Sequence, residues 1–274
     1  MFEREESVAA GIAREAGKIL MEVYATDFSI AYKGNADPVT TADKRANEYI
    51  VAALRDSFPS DGVVAEETAD TSDATKAGRC WYVDPLDGTK EFIAKNGEFS
   101  VMLGLAIDGA ATVGVVYQPV TDRLYRGVVG RSAHMEYEGE TSALRVGDIV
   151  DPKAMRLVVS RSHRSSTTDS LKTALGITEE RASGSVGLKV GLIARREADL
   201  YVHVSDRSSA WDACGPDAIL HAAGGRFTDL AGDRFVYGGT SMKNERGILA
   251  CNAVGFDRVL PDVRAIGRAA KLLP

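Results

Sequence analysis

The stretch Arg79–Ser100, RCWYVDPLDGTKEFIAKNGEFS, decides how the rest of the chain is read. An apolar run from Cys80 to Val83 has the composition of a buried strand and stops at Asp84. Asp87 follows after Pro85 and Leu86, and Gly88 frees the backbone just before Thr89-Lys90-Glu91. Taken alone, Pro-Leu-Asp-Gly is ordinary turn chemistry. The competing reading is a place where the chain holds a metal ion.

Outward from this stretch the pattern alternates between helix and strand. Val8, Ile12, Ala16, Ile19 and Val23 recur at helical spacing and predict an amphipathic helix over about 5–24. After a break at YKGNADP, TTADKRANEYIVAALRDSF predicts a second helix, with Thr40 and Asp43 matching a capping pattern at its start. GVVAEE reads as a short strand ending in acids. FSVMLGLAI, ATVGVVYQP and DRLYRGVVG read as an antiparallel meander. RLVVS and ADLYVHV predict strands, 168–175 and 186–196 predict helices, and CGPDAILHAAGG predicts a helix closed by Gly224-Gly225. RGILACN predicts a late strand. The class is α/β (α+β), with sheets sandwiched by helices. A boundary near Asp151-Pro152 divides 1–150 from 151–274 within one structural unit.

Composition narrows the chemistry. With 45% apolar and 26% charged residues, 274 residues can bury a sizeable core. The net charge of −6, from 33 basic and 39 acidic residues, argues against a nucleic-acid polymer as partner. Three scattered cysteines, Cys80, Cys214 and Cys251, argue against a disulfide framework or cysteine-rich zinc site and favour a reducing compartment. The four histidines do not pair, so carboxylates are the ligands on offer, and these suit Mg²⁺, Ca²⁺ or Mn²⁺. The charged start MFEREES has no signal-peptide core, and no stretch is long and apolar enough for a membrane span, so the expected location is cytoplasmic.

The acids gather at punctuated places: Glu66 and Glu67 after one strand, Asp84 and Asp87 after another, Asp43 in the first turn of a helix, and Asp212 just before one. Ligand sites of α/β proteins lie past the carboxyl ends of strands. Each acid also has a plain structural account. Asp43 serves as a capping partner, Asp212 as a helix N-cap, and Glu66-Glu67 as solvated loop charge. Together the plain accounts weaken. Two acids three residues apart repel unless protons or cations intervene, and a hard cation accepts carboxylates plus a carbonyl such as that of Leu86. Gly88 permits close backbone approach, and the helix start at Thr89 is an anion site. Metal and phosphate in one small space suit metal-assisted phosphate hydrolysis.

DPVTTAD, VVAEE, WYVDPLDGTKEF and WDACGPDAILHAAGG, in this order and spacing, resemble the lithium-sensitive, Mg²⁺-dependent inositol monophosphatase superfamily over nearly the whole chain. RGILACN resembles its closing strand. Within it, DPLDGTKEF, SRSH at 160–163 and GSVGLK at 184–189 resemble the 3'(2'),5'-bisphosphate nucleotidase branch, the CysQ type, although the register of the last segment departs from it. Pro216 also departs from the family's small-residue run and is expected near the helix start, where proline is tolerated.

The resemblance implies a layered αβαβα sandwich and two to three Mg²⁺ ions, with Mn²⁺ as a substitute. It implies Glu66, Asp84, Asp87 and Asp212 as side-chain metal ligands and Leu86 as a carbonyl ligand. Asp43 and Thr89 would orient the attacking water, and Gly88 and Thr89 amides would hold the phosphate. Lys33 would sit in a closing loop, and Ser162, His163, Gly184, Ser185, Lys189 and Asp212 would contact substrate, with Arg161 and Arg164 adding positive charge. The implied activity is hydrolysis of adenosine 3',5'-bisphosphate to AMP and phosphate, in sulfur assimilation. The alternatives are an inositol-1-phosphate or fructose-1,6-bisphosphate phosphatase on the same centre, and a non-catalytic phosphate sensor. A small phosphorylated molecule is the partner in every case. Homodimers are common among relatives, but no interface patch is legible.

Overall fold

Ala9, Ile12, Ala13, Ala16, Leu20 and Val23 repeat at helical spacing and are all buried along one face of α1 (Glu3–Tyr24). That face needs a partner, and the meander supplies it. The computed structural model describes the chain except residues 28–29, 34–36, 69–73, 163–165 and 240, and except the side chains at 30–33, 37–39 and 77. A hairpin of β1 (Ile30–Lys33) and β2 (Asp37–Thr40) leads into α2 (Thr41–Ser57). One sheet follows in sequence order: β3 (Gly62–Ala65), β4 (Arg79–Asp87), β5 (Ser100–Ile107), β6 (Ala110–Gln118), β7 (Arg123–Val128), β8 (Ser132–Tyr137) and β9 (Glu140–Leu144). The short helix α3 (Thr89–Ile93) separates β4 from β5. The β3/β4 pair is parallel and the other pairs are antiparallel.

The second half runs β10 (Leu157–Ser160), α4 (Ser166–Leu175), β11 (Glu180–Ser183), α5 (Val186–Ala194), β12 (Leu200–His203), α6 (Ala210–Ala222), β13 (Gly225–Thr228), β14 (Ile248–Asn252) and α7 (Phe256–Ala269). Its strands pair in the order β11-β10-β12-β14-β13. The layering follows from which residues share a core. Trp81 and Val83 of β4 pack with α1 and α2, while Cys80 and Tyr82, alternating to the other face, pack with α5 and α6. The far side of the second sheet packs on α4 and α7. The result is the αβαβα sandwich.

Helix α5 is buried on every side from Gly187 to Ala194, as its middle layer requires. Helix α6 lies so close to the first sheet that glycines are needed on both sides. A Cβ on Gly104 would come within 2.4 Å of the Gly215 nitrogen, and one on Gly114 within 2.1 Å of the Gly215 carbonyl. This close seat brings the start of α6 up to the end of β4.

Several sequence expectations need correction. The strand does not end at Asp84: β4 continues to Asp87, with a register shift against β5 between the two acids. Strands β1, β2, β8, β9, β11 and β13 form where no strand was predicted, β1 and β2 on the stretch read as a break. Helix α6 begins at Ala210, so Asp212 lies inside it, not ahead of it. Pro216 falls in the second turn, not at the start, and has no N–H to offer the Asp212 carbonyl four residues back.

Candidate metal centre

Asp84 and Asp87 come from the irregular end of β4, and Asp212 from the first turn of α6. One carboxylate oxygen from each lies within 4.8 Å of the others. Burial raises the Asp84 pKa well above the carboxylate range, and the charges of Glu66, Asp87 and Asp212 add to it. Burial also raises Asp87, and burial with the Asp87 charge pushes Asp212 up to about 7. Three crowded oxygen donors that resist ionising together fit a hard divalent cation, which takes carboxylates and offsets their charge.

Each acid is also held by the fold. The Leu86 N–H donates to Asp84 Oδ1 at 2.9 Å. Asp212 and Ser209 form the capping box of α6, with the Ser209 N–H donating to Asp212 Oδ2 at 2.6 Å. Asp87 Oδ2 sits on the N-terminus of α5 and accepts from the Val186 and Gly187 amides and the Ser185 hydroxyl. Ser185 itself has φ +52, a strained value for a non-glycine residue, and its hydroxyl also meets Ser100 at 2.8 Å and caps Leu188 N–H at 3.1 Å.

Glu66 stands in the turn after β3, where its N–H bonds the Val83 carbonyl at 3.1 Å. Its charge reaches Asp84, but its carboxylate is not within the three-acid cluster. The buried Leu86 accepts the Thr89 hydroxyl on its carbonyl at 3.3 Å. Gly88 has φ +99, and a Cβ there would press on the Glu98 carbonyl at 3.1 Å, so glycine is required.

Asp43 caps a helix and also meets Thr89. Its Oδ2 accepts the Thr40 N–H at 2.7 Å and the Thr40 hydroxyl at 2.6 Å, capping α2. Its Oδ1 accepts the Thr89 hydroxyl at 3.3 Å. Burial raises the Asp43 pKa, against its bonds from Thr40.

The expected substrate contacts are more varied. Lys189 is 2% exposed, with its ammonium 5.1 Å from the centre of the Tyr201 ring. Burial lowers its pKa, while the charges of Asp87, Glu91, Glu98 and Asp212 oppose the shift. The Ser162 hydroxyl donates to Glu91 at 2.5 Å, the Gly184 N–H to Glu98 at 2.7 Å, and Arg161 forms two 2.6 Å bonds with Glu98. His163, Arg164 and the side chain of Lys33 lie outside the described residues.

Sequence reasoning missed two features here. Glu91 and Glu98 hold the second half of the chain, and their partners lie more than sixty residues away, beyond any local signal. Lys243 counters Asp212 from a segment bridged to Ser209. All three cysteines are free and buried. Among the described residues no helix is long and apolar enough to cross a membrane.

The chain is similar to known proteins over most of its length. A model of the inositol monophosphatase family matches residues 2–267. The 3'(2'),5'-bisphosphate nucleotidase CysQ of Salmonella typhimurium is 38% identical over 82% of this chain and 91% of its own. An inositol-1-monophosphatase of Bacillus subtilis is 25% identical over 85% of this chain and 88% of its own. A crystal structure of CysQ from Bacteroides thetaiotaomicron superposes with a TM-score of 0.77 at 29% identity, covering 93% of this chain and 98% of that one. The carboxylate cluster therefore sits in a chain that belongs to the inositol monophosphatase family.

Proposed function

We propose that this protein is a Mg²⁺-dependent 3'(2'),5'-bisphosphate nucleotidase that hydrolyses adenosine 3',5'-bisphosphate to AMP and phosphate. The observation that carries the reading is the three-carboxylate cluster beside the Thr89–Asp43 hydrogen bond, in a chain 38% identical to a nucleotidase of that specificity. Asp84, Asp87 and Asp212, with Glu66 and the Leu86 carbonyl, would hold two to three Mg²⁺ ions, and Mn²⁺ would substitute. When bound, the metal supplies Lewis acidity to the phosphate, its leaving group and the attacking water.

The chain's own groups do the rest. Thr40 occupies Asp43 Oδ2, so Oδ1 is left to hold the Thr89 hydroxyl. A buried carboxylate with a raised pKa accepts a proton more readily, so Thr89 Oγ1 can take a proton from water and pass one to Asp43 Oδ1. No covalent phospho-enzyme is needed. The Gly88 and Thr89 amides would hold the phosphate, and Lys33, Ser162, His163, Gly184, Ser185, Lys189 and Asp212 would serve the rest of the substrate. The halves 1–150 and 151–274 work as one unit, since Asp212 joins acids from the first half. Three free buried thiols suit a cytoplasmic setting.

An inositol-1-phosphate phosphatase is the second reading, favoured by the Bacillus subtilis relative. Phosphate release with Mg²⁺ from adenosine 3',5'-bisphosphate, inositol 1-phosphate and fructose 1,6-bisphosphate separates the two. The nucleotide should lead by at least ~100-fold in kcat/KM, about 2.7 kcal/mol of transition-state discrimination. A lead for inositol or sugar phosphate overturns the substrate assignment and leaves the metal centre standing.

A further inference from the structure

Glu91 is a buried carboxylate, 4% exposed, with no part in the hydrolysis described above. It sits in α3 two residues after Thr89, so its backbone is rigidly tied to the hydrolytic turn. Its side chain reaches across the halves and accepts the Ser162 hydroxyl at 2.5 Å. Glu98 makes the parallel connection, holding Arg161 by two bonds of 2.6 Å and the Gly184 N–H at 2.7 Å. The Arg161 N–H in turn bonds the Ser183 carbonyl at 3.1 Å, so the ends of β10 and β11 are fixed as one piece. The fit is close: a Cβ on Gly184 would come within 2.5 Å of Glu91 Cγ and 2.3 Å of the Glu98 carbonyl. Ser185 continues the same segment onto Asp87. Two carboxylates of the first half thus clasp the strand ends that lead, through Ser185, to Asp87 of the carboxylate cluster.

A buried carboxylate is costly unless it is paired, and Ser162 and the nearby Lys189 charge are its partners. We propose that Glu91 is a specificity-determining positioning residue: through Ser162 it sets the distance from the hydrolytic turn at Thr89 to the ends of β10 and β11, where the part of a nucleoside bisphosphate beyond the scissile phosphate rests. The inference rests on the nucleotidase reading. It predicts an effect on the second anionic group of the substrate, beyond any effect on the phosphate being cleaved.

The test compares adenosine 3',5'-bisphosphate with 3'-AMP, which carries the scissile phosphate alone. In Glu91→Ala, kcat/KM for the bisphosphate should fall about tenfold more than for 3'-AMP, the size of one charge-assisted hydrogen bond, and mainly through KM. Glu91→Gln keeps an acceptor oxygen for Ser162 and should recover most of the preference. Ser162 is exposed, so Ser162→Ala should fold, and it should shift the preference as Glu91→Ala does, with the double variant no worse than either single one. A wild-type enzyme with no preference for the bisphosphate overturns the nucleotidase reading and this inference with it. A wild-type preference that survives Glu91→Ala, or equal losses on both substrates, overturns this inference alone.

Discussion

The metal-free protein should lose stability as pH rises through neutrality, and Mg²⁺ should restore it. Asp212 is pushed up to about 7 in the folded state by burial and by the charge of Asp87. In the unfolded chain an aspartate titrates near about 3.9. The folded state therefore binds the Asp212 proton more tightly than the unfolded state does. That contribution is complete below about pH 4 and is lost as pH rises through about 7. A gap of about three units corresponds to about 4 kcal/mol, and partial solvent screening of Asp212 brings it to roughly 2 kcal/mol. In a chain of this size roughly 2 kcal/mol moves the melting temperature by about 5 °C. Thermal unfolding in chelator at about pH 5.5 and about pH 8 should show about half of this decline, roughly 1 kcal/mol, beyond that of Asp212→Asn, the other half falling between about pH 4 and about pH 5.5. Mg²⁺ at a subsaturating level should then raise the melting temperature more at the higher pH, because at the lower one it must displace a proton from Asp212. A chelated protein whose melting temperature is flat over this range, or an Asp212→Asn variant with an unchanged profile, refutes the reasoning.

Three other outcomes are expected. Thr40→Val removes the hydroxyl that caps α2 and holds Asp43 Oδ2, so it should cost about 1 kcal/mol in denaturant unfolding and lower kcat about tenfold by loosening Asp43. Gly104→Ala should destabilise by about 3 kcal/mol and weaken Mg²⁺ binding in calorimetry, because its methyl group meets the backbone of α6 and displaces Asp212. Cys80, Cys214 and Cys251 are buried and burial raises all three thiols, Cys80 to about 11, so thiol reagents should label them in denaturant and not in the native protein.

What the sequence made legible was local. The acids at 84 and 87 stood out because apolar residues stop there and proline and glycine flank them. The meander was plain where strands were apolar on both faces, as in β5 and β6. It was missed where they were not: SAHMEY and ETSAL carry mostly part-exposed or exposed residues, and a sheet's outer strands need little apolar patterning. The start of α6 was misplaced because Pro216 read as near an opening, whereas Ser209 and Asp212 cap the helix earlier. The clasp at Glu91 was illegible for a different reason. Nothing near TKEF says that its carboxylate answers to Ser162, and only the packing of the two halves brings them together.

Capping does not use up the carboxylates. Asp43, Asp87 and Asp212 each commit Oδ2 to the start of a helix, α2, α5 and α6 respectively. Each then has a second oxygen to turn elsewhere, and for Asp43 that oxygen holds Thr89. Helix N-termini favour negative charge, so the fold itself bears part of the repulsion among carboxylates that burial would otherwise force to protonate. The raised pKa values of all three show that it does not bear all of it. For Asp87 and Asp212, a bound cation would offset what remains. For Asp43 the remainder would, on the proposed mechanism, favour taking a proton from Thr89. The same capping that stabilises three helices therefore fixes the acids in place before any ligand arrives, which is the preorganisation that phosphate hydrolysis demands.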